Sequence, residues 1–260
     1  MLDFKNLKRL AEGKTKIIYE NPSDSKTVYM VFKDDITAGD GVKHDILEGK
    51  ALVDWKTNRD IFELLNRKGI RTHYISSPQE KVSLVKKLDF KINLEVVTRR
   101  VAAGSILKWG NVEEGRRFDP PVTQFHYKDD PLHDPMLDES YIDFIVKTKH
   151  GGDMYSKMRE ENGRILIELE KAFSKFDIQL VDLKIEYGLI AGEVTAIDEI
   201  TGGSFRLWPY ARPNPNFLQA NVLKELNPEG RLDKDTYRMG GALDKVKSKF
   251  EEIQKITEKF

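Results

Sequence analysis

The sequence predicts an α+β fold arranged in two lobes. Strand patterns occupy most of the first 97 residues around one long helix, whereas a loop-rich stretch, a helix, a β-hairpin and a terminal helix follow. Strands that precede helices in this way are typical of α+β proteins and not of a doubly wound parallel sheet. With 260 residues, the chain is long enough for two closely packed lobes. We expect these lobes at residues 1–92 and 93–260.

The predicted N-terminal lobe begins with a β-hairpin. Two β-rich runs, Ile17–Tyr19 and Thr27–Phe32, flank residues 21–25, whose Asn, Pro, Ser and Asp content is typical of a turn. Further strands are predicted at Thr72–Ile75, Val82–Leu88 and Leu94–Val97.

One long helix is predicted between residues 45 and 68. Its apolar residues recur at three- and four-residue steps, and they are Leu47, Ala51, Trp55, Phe62 and Leu65. Asn58 interrupts this apolar stripe. Asp45 suits the helix N-cap, and Gly69 stands where a C-cap belongs.

The second half of the sequence predicts a loop-rich stretch, two helices and a second hairpin. Residues 111–138 contain prolines at 120, 121, 131 and 135, so little regular structure is expected there. Strands are predicted at Leu180–Glu186 and Glu193–Ile197. One helix is indicated by the apolar residues Met158, Ile165, Leu166, Leu169, Phe173 and Phe176, and the last by Leu243, Val246, Phe250, Ile253 and Phe260.

The composition excludes several classes of protein. The chain has 43 Lys and Arg, 43 Asp and Glu, and no Cys. Without Cys it has no disulfide framework, no thiolate zinc site and no cysteine nucleophile. The net charge of zero argues against a sequence-independent nucleic-acid binder, which normally has a basic excess. No apolar run approaches the roughly 20 residues of a membrane span, and the N-terminus lacks the apolar core of a signal peptide, so a cytoplasmic protein is expected.

Three segments before residue 106 contain residues suited to bind anions or cations. Residues 12–16 combine a glycine, which lets the backbone approach a phosphate, with two lysines, although a solvated strand edge has the same composition. Residues 34–41 contain three Asp and two Gly, which suit a cation, sugar hydroxyls or a simple turn. Arg99 and Arg100 end a strand shortly before Ser105, an arrangement typical of a phosphate or carboxylate clamp or of surface arginines.

The most specific local pattern is a pair of acidic strands. Asp182, Lys184 and Glu186 alternate with apolar residues, so strand geometry places the three charged residues on one face. The partner strand is followed by Asp198 and Glu199. Carboxylates from both strands could share Mg²⁺, whose oxygen coordination is normally completed by water and phosphate, although alternating charges also occur on solvated surfaces. Together these segments indicate nucleotide-dependent chemistry.

Taken in order, the segments resemble the family of SAICAR synthetases (phosphoribosylaminoimidazole-succinocarboxamide synthases). The resemblance extends from Gly13 to about Gly241. The shared motifs are Gly-Lys-Thr-Lys at 13–16, Ala-Gly-Asp-Gly at 38–41, Leu-Val-Lys-Lys-Leu-Asp at 84–89, Glu95, Arg99 and Ala-Gly-Ser at 103–105, Lys-Asp-Asp at 128–130, His-Asp-Pro at 133–135, residues 182–188, Asp-Glu at 198–199, Arg-Leu-Trp at 206–208 and residues 233–238. Each motif alone is common, whereas the ordered set is specific.

The resemblance implies an ATP-dependent carbon–nitrogen ligase of purine biosynthesis. Such an enzyme joins carboxyaminoimidazole ribonucleotide to L-aspartate, uses ATP with Mg²⁺, and releases ADP and phosphate, with an acyl phosphate as the expected intermediate. The resemblance also implies a protein-kinase-like antiparallel N-terminal lobe, a mixed C-terminal lobe, an ATP cleft between them and a homo-oligomer. Neither nucleic acid nor a membrane is expected as a partner.

The resemblance also implies a role for individual residues. The ATP phosphates would be covered by Gly13, Lys14, Thr15 and Lys16, with Lys87 in the segment that lies against adenine. Magnesium would be bound by Glu186 and Asp198. Catalytic roles fall on Lys184, Arg206 and Lys128. The ribonucleotide and the cleft around it would be contacted by Asp40, Arg99, Ser105 and Arg206.

The chain departs from the family pattern at several positions. Asn93 and Arg100 replace a usual Pro and Asn, Gly203 replaces a usual carboxylate, and residues 209–230 form a longer loop. Two other functions are compatible with a kinase-like lobe: a small-molecule phosphotransferase and a catalytically silent nucleotide-binding regulator. Retention of Arg99, Ser105 and Arg206 favours the ligase over the phosphotransferase. Retention of Lys184, Glu186 and Asp198 favours it over the silent regulator.

Overall fold

The computed structural model describes residues 2–38, 42–142, 144, 153–211, 227 and 230–260, and it has an α+β fold. The strands are β1 (Arg9–Glu12), β2 (Lys16–Glu20), β3 (Thr27–Phe32), β4 (Asp35–Ala38), β5 (Lys43–Ile46), β6 (Tyr74–Gln79), β7 (Val82–Lys86), β8 (Phe90–Val101), β9 (Arg117–Tyr127), β10 (Met136–Leu137), β11 (Ile178–Ile190), β12 (Glu193–Ile197) and β13 (Phe205–Pro209). The helices are α1 (Lys50–Arg67), α2 (Met154–Ser174), α3 (Asp235–Arg238) and α4 (Leu243–Thr257).

The first sheet is antiparallel, with the strand order β1-β2-β3-β7-β6. The predicted hairpin is confirmed, because β2 pairs with β3 in a register that places Ile18 opposite Met30. Helix α1 packs Ala51 and Trp55 against Met30 and Val85 of this sheet. One layer of strands and one helix therefore enclose the core of this half of the protein.

The second sheet has the order β10-β9-β8-β11-β12, and β13 also pairs with β11. Its centre is the pair β8–β11, in which Glu95 lies opposite Glu186 and Arg99 opposite Asp182. Helix α2 packs against this sheet through Ile165, Leu166, Leu169 and Phe173, all fully buried. The predicted second hairpin is also confirmed, since β11 and β12 pair around a turn at residues 191–192.

Helix α1 begins at Lys50, so the predicted start at residue 45 is wrong. Asp45 lies in β5, which pairs with β4, and its carboxylate accepts a hydrogen bond from the Tyr237 hydroxyl at 2.9 Å. Gly49 takes the N-cap position with φ of +86°. Leu47 fits the helical spacing although it lies before the helix, because it is buried in the core from an extended segment. Gly69 follows the last turn with φ of +70°, as the C-cap prediction required.

The expectation of little regular structure in residues 111–138 is also wrong, because β9 spans eleven of them. The position of two prolines explains why β9 tolerates them. Pro120 and Pro121 lie beyond the two residues of β9 that pair with β10, and the pairing with β8 is irregular between Arg99 and Val101. A proline that faces no ladder partner loses no hydrogen bond.

A short segment before β6 makes backbone contacts with the second sheet. Thr72 forms a parallel bridge with Ala196 of β12, and the His73 amide donates to the Ala196 carbonyl at 3.0 Å. The predicted lobe boundary at residues 92 and 93 falls within β8, and the division into two lobes stays a prediction. Within the residues that the structure describes, no helix is long and apolar enough to cross a membrane.

Candidate active-site cleft

A cavity of about 780 Å³ lies between the two sheets, and it has walls from both. Most residues proposed from the sequence line it: Gly13, Lys14, Thr15, Lys16, Lys87, Lys128, Lys184, Glu186 and Asp198. Asp40 and most of the 209–230 loop lie outside the described residues. The cavity is large enough for a nucleotide together with a second small substrate.

One end of the cleft is apolar. Its walls are apolar side chains from β1, β2, β3, β7, β12 and the segment after β7, and they are Leu10, Ile18, Val28, Met30, Val85, Leu88 and Ile197. The segment from Lys86 to Leu88 connects the first sheet to the second along this end. Apolar walls on both sides of a gap suit a planar aromatic ring such as a purine base.

The loop between β1 and β2 lies over the cleft and contacts its opposite wall. The Lys16 ammonium donates to Asp198 Oδ1 at 2.7 Å, and the Thr15 hydroxyl donates to Glu199 Oε1 at 2.9 Å. The Lys14 ammonium reaches Asp130 at 2.7 Å on the other side of the opening. The loop therefore directs cations and a hydroxyl donor at carboxylates across the cleft.

The contact between Lys16 and Asp198 is a partly buried ion pair. Burial alone would lower the pKa of Lys16, but the carboxylates of Asp198 and Glu199 raise it above its usual value. Burial alone would raise the pKa of Asp198, but Lys16, Lys128 and Lys184 hold it well below its usual range. Both groups are charged at neutral pH, so an anionic ligand can compete for Lys16 and a cation can compete for Asp198.

Glu186 of β11 lies among three lysines on the floor of the cleft. One carboxylate oxygen contacts Lys128 and accepts from Lys184 at 3.3 Å, and the other lies 3.0 Å from Lys91. Lys184 also donates to Glu95 at 2.8 Å. Burial and the Asp198 charge would raise the pKa of Glu186, but the three lysines keep it below its usual value. Glu186 is therefore ionised and surrounded by positive charge.

The carboxylates of Glu186 and Asp198 form a donor set that fits one magnesium ion. Both line the same cavity, and their charges are close enough to interact. The described residues contain no group of three or more His, Cys, Asp and Glu side chains that could hold a metal by themselves. Mg²⁺ is normally bound by one or two carboxylates together with phosphate and water, so two carboxylates are sufficient.

Arg99, Ser105 and Arg206 form a separate cluster beside the cleft. Asp182 Oδ2 accepts from Arg99 at 2.7 Å and from Arg206 at 2.6 Å, and the Ser105 hydroxyl accepts from Arg99 at 3.0 Å. A side chain at Gly104, which has φ of +68°, would place its Cβ 2.6 Å from an Arg206 nitrogen. The turn after β8 therefore needs glycine to admit Arg206, and two guanidinium groups converge there.

The cluster is linked to the cleft by Asp235 of α3. Asp235 accepts from Arg206 at 2.7 Å and also from Arg238, whose side chain lines the cavity. Three of the four proposed substrate-binding residues, Arg99, Ser105 and Arg206, are thus brought together, but they do not form part of the cavity wall itself.

Several cleft residues had no role in the sequence analysis. Lys50, His73 and Lys234 line the cavity, and Lys50 forms a buried ion pair with Asp54 one helical turn away. The spacing of four between Lys50 and Asp54 is visible in the sequence, but its burial is not. Gly203 also lines the cavity, and a Cβ there would lie 3.9 Å from Lys234. The position that lacks the expected carboxylate therefore lies beside a lysine.

Arg100 has a structural role. Its side chain makes two hydrogen bonds of 2.9 Å to the Glu170 carboxylate of α2 and a third to the Phe118 carbonyl. These contacts join β8 to α2 and β9. The arginine at position 100 thus joins elements of the second half of the protein, and it does not line the cleft.

Comparisons with known proteins agree with this arrangement. The sequence profile of the SAICAR synthetase family matches residues 9–256. A phosphoribosylaminoimidazole-succinocarboxamide synthase from Herpetosiphon aurantiacus is 40% identical, over 97% of this chain and 98% of that protein. One from Chloroflexus aurantiacus is 37% identical, over 91% of this chain and 88% of that protein.

Solved structures have the same fold. A type-2 SAICAR synthetase in complex with ADP superposes with a TM-score of 0.80 at 31% identity, over 96% of this chain and 97% of that chain. A phosphoribosylaminoimidazole-succinocarboxamide synthase from Ehrlichia chaffeensis gives a TM-score of 0.81 at 30% identity, over 97% and 99% of the two chains.

Proposed function

Since the chain belongs to the SAICAR synthetase family, we propose that its cleft joins carboxyaminoimidazole ribonucleotide to L-aspartate at the expense of ATP. The chain is an ATP-dependent ligase of purine biosynthesis. The observation that supports the site assignment best is the arrangement of one cavity. An apolar end lies next to a Gly-Lys-Thr-Lys loop, which faces ionised carboxylates and lysines.

The proposed chemistry activates a carboxylate. A carboxylate is a poor acyl donor, so transfer of the γ-phosphoryl group of ATP to the ribonucleotide carboxylate would create an acyl phosphate with a good leaving group. The aspartate amine would then attack the acyl carbon, and phosphate would leave from the tetrahedral intermediate. All three reactants are anionic, so the chain must supply positive charge and hold them in register.

We propose that the nucleotide replaces contacts present within the protein. The purine would occupy the apolar end beside Lys87, and the phosphates would take the hydrogen bonds that Lys16 and Thr15 now give to Asp198 and Glu199. Gly13 and Lys14 would complete the cover of the phosphates. The carboxylates would thus hold these donors in position until ATP arrives, and the phosphates would then replace the carboxylates as acceptors.

Glu186 and Asp198 are the proposed magnesium ligands. When bound, Mg²⁺ would offset the charge of the phosphates and of the substrate carboxylate. Lys184 and Lys128 lie beside Glu186. We propose that both lysines, like Mg²⁺, stabilise the negative charge that accumulates during phosphoryl transfer.

We propose that Arg99, Ser105 and Arg206 bind the phosphate of the ribonucleotide. Two guanidinium groups and a hydroxyl converge there, and forked N–H donors suit a phosphate. Asp40 is assigned to the same substrate by resemblance alone. Lys234 is proposed as a further contact for an anionic group, because its ammonium has no partner among the described residues and it lines the cleft.

Three further proposals concern the assembly, the location and the division into lobes. We propose a homo-oligomer on the resemblance alone, and a cytoplasmic location because the reaction consumes ATP and a phosphorylated metabolite. We propose residues 1–92 and 93–260 as the two lobes because each of the two larger sheets has nearly all its strands in one of them.

The deciding experiment measures ADP release by the full chain while each co-substrate is omitted in turn. The ligase requires both carboxyaminoimidazole ribonucleotide and L-aspartate for sustained release. Release with the ribonucleotide alone, with a phosphorylated product, would identify a phosphotransferase instead. Absence of turnover despite nucleotide binding would identify a silent binding protein.

The magnesium assignment is tested by Glu186→Gln. We expect turnover at limiting Mg²⁺ to fall by about 10²-fold or more, because the variant removes one preorganised charge from the site. Steady-state rates over a magnesium titration measure this effect. Glu193→Gln, an exposed residue of the neighbouring strand, is the control and should match the parent protein. Normal turnover of Glu186→Gln at low Mg²⁺ would remove Glu186 from the ligand set.

A further inference from the structure

Asn58 is a polar residue in the apolar stripe of α1, and it is fully buried. Its amide oxygen accepts the backbone N–H of Ile200 at 2.9 Å. Its amide nitrogen has no hydrogen-bond partner. An apolar residue at this position would continue the stripe and remove an unsatisfied donor, so the bond to Ile200 is the feature that explains an asparagine here.

Ile200 belongs to a short segment that carries two acidic residues of the cleft. We name residues 198–204 the acidic turn. Within it, the Ser204 hydroxyl accepts from the Thr201 amide and donates to the Glu199 carbonyl, both at 3.2 Å. The Lys184 amide donates to the Ser204 carbonyl at 2.8 Å, which ties the turn to β11. The turn is therefore a local hydrogen-bonded unit whose position sets that of Asp198.

A second buried side chain contacts the start of the same turn. His73 Nε2 lies 3.1 Å from the Asp198 carbonyl oxygen, and because a carbonyl can only accept, the imidazole must donate. The ring is 4% exposed and packs against Phe62 of α1, with ring centroids 5.3 Å apart. His73 and Asn58 thus contact the turn from the segment just before β6 and from α1, both in the other half of the protein.

Asp198 needs such support because of its backbone conformation. Its φ is +68°, in the left-handed region that residues with a Cβ seldom adopt. Conformations of this kind persist when surrounding contacts fix them, and they are common at functional sites. Here the carbonyl of Asp198 is held by His73, and the amide two residues later is held by Asn58.

We infer that Asn58 and His73 are positioning residues that hold the acidic turn so that the Asp198 carboxylate lies beside Glu186 on the same wall of the cleft, where β11 pairs with β12. The inference rests on the proposed function, in which both carboxylates bind magnesium. Asn58 does not line the cavity, so it acts only through the turn. Residues that orient a metal ligand typically change metal affinity by about 10- to 100-fold when removed, without contacting the metal.

The test uses Asn58→Leu and His73→Phe in the full chain. Leucine continues the apolar stripe but leaves the Ile200 amide without its acceptor, and phenylalanine keeps the ring contact with Phe62 but cannot donate. Calorimetry gives the Kd of ADP with and without Mg²⁺. The magnesium ratio, which is the magnesium-free Kd divided by the Kd with Mg²⁺, reports the contribution of the metal. We expect each variant to lower this ratio about tenfold and to leave the magnesium-free Kd within about twofold of the parent.

Asn162→Leu is the matched control. Asn162 is also a fully buried helical asparagine, but it bonds to Thr98 and Tyr187 on the far side of the second sheet. The Asn162→Leu variant should lower the unfolding midpoint as Asn58→Leu does, while its magnesium ratio stays at the parent value. An equal fall of the ratio in this control would overturn the inference, because any loss of stability would then produce it.

Two other results would also overturn it. A folded Asn58→Leu with the parent ratio would show that the turn does not need its anchor; if that variant fails to fold, an unchanged ratio in His73→Phe decides the same point. A large loss of magnesium-free ADP affinity in His73→Phe would make His73 a direct ligand contact. The proposed function fails separately, since it is judged by whether ADP release by the parent protein requires both co-substrates.

Discussion

Arg99 and Arg100 are adjacent in the sequence, but their side chains lie on opposite faces of β8. Arg99 contacts Asp182 and Ser105 beside the cleft, whereas Arg100 pairs with Glu170 of α2. Strand geometry predicts that neighbouring residues point to opposite faces. It does not predict which of the two faces the site, because that depends on where α2 packs.

The contrast between the two arginines is testable. Arg99→Met and Arg100→Met each break a buried ion pair, so both should lower the free energy of unfolding, by about 3–5 kcal/mol. Only Arg99→Met should raise the KM for the ribonucleotide, by about 10- to 100-fold, which corresponds to one or two charged hydrogen bonds. Urea denaturation and steady-state kinetics measure the two effects. An equal rise of KM in both variants would contradict the assignment of Arg99.

Lys234 should give the cleft a pH dependence. Burial, and then the charges of Arg238 and Lys50, lower the pKa of Lys234 from 10.5 to about 8. The folded protein therefore binds fewer protons than the unfolded chain between pH 8 and 10.5, so this group disfavours folding below pH 8 and the penalty disappears as the pH rises to 10.5. Lys234→Met should raise the unfolding midpoint at pH 7, with a smaller gain at pH 9.5.

The same variant tests anion binding by Lys234. Only the protonated ammonium attracts an anion, so the KM of the substrate that it contacts should rise above pH 8 in the parent protein and become independent of this titration in Lys234→Met. Lys249→Met is the control, because Lys249 pairs with Asp233 and does not line the cleft. A KM profile that is the same in all three proteins would exclude Lys234 from substrate binding.

At the scale of elements, the acidic turn packs closely against α4. A Cβ added at Gly202 would lie 2.7 Å from the ring of Phe250, which is 2% exposed. Phe250 is also one of the apolar residues from which the sequence predicted α4. The terminal helix thus has a second role besides closing the core, since it limits the space available to the turn that carries Asp198.

Substitutions of two glycines should have opposite effects on the free energy of unfolding. Gly202→Ala should lower the free energy of unfolding by about 1–3 kcal/mol, because the buried ring must shift, and Phe250→Leu in the same chain should restore part of the loss relative to the sum of the two changes. Gly163→Ala should instead stabilise by about 0.4–1 kcal/mol, because it is a helical glycine with no atom near its Cβ position. Denaturant titrations of the parent protein, the three single variants and the Gly202→Ala/Phe250→Leu double variant give these free energies. A stabilising Gly202→Ala would contradict the packing.

Elements with strong periodicity were predicted well, and those defined by their partners were not. The hairpin of β2 and β3 and the helices α2 and α4 follow from spacing alone. The start of α1 and the existence of β9 did not, because Asp45 belongs to β5, which pairs with β4, and β9 pairs with β8 on either side of prolines that face no ladder partner. Local propensity is overridden where a sheet supplies the hydrogen bonds.

At the scale of the whole molecule, the two sheets are joined across the cleft by polar contacts between side chains, and we propose that a nucleotide replaces them. Lys14, Thr15 and Lys16 come from the first sheet, and their acceptors Asp130, Asp198 and Glu199 come from the second half. Binding of ATP would exchange carboxylate acceptors for phosphate acceptors. Nucleotide binding should therefore couple to the overall stability of the protein.

Lys16→Met measures this coupling. ADP at about 100 times its Kd should stabilise the parent protein by about 2.7 kcal/mol, and a tenfold weaker Kd reduces this to about 1.4 kcal/mol at the same concentration. Lys33→Met is matched, because Lys33 pairs with Glu12 at the end of β3 and lies outside the cavity. Unfolding midpoints with and without ADP give the increments. Equal increments in both variants would exclude Lys16 from nucleotide binding.

The sequence by itself determined the family and the α+β fold class, and it pointed to nine of the residues that line the cleft, because these depend on ordered motifs and on periodicity within single elements. The tertiary structure decided which charges meet. It pairs Lys16 with Asp198 and Glu186 with three lysines, and it separates Arg99 from Arg100. It also explains Asn58, whose partner lies 142 residues away. Such pairs depend on how strands and helices that are distant in the sequence pack together. The spacing of residues within one element carries no information on that packing.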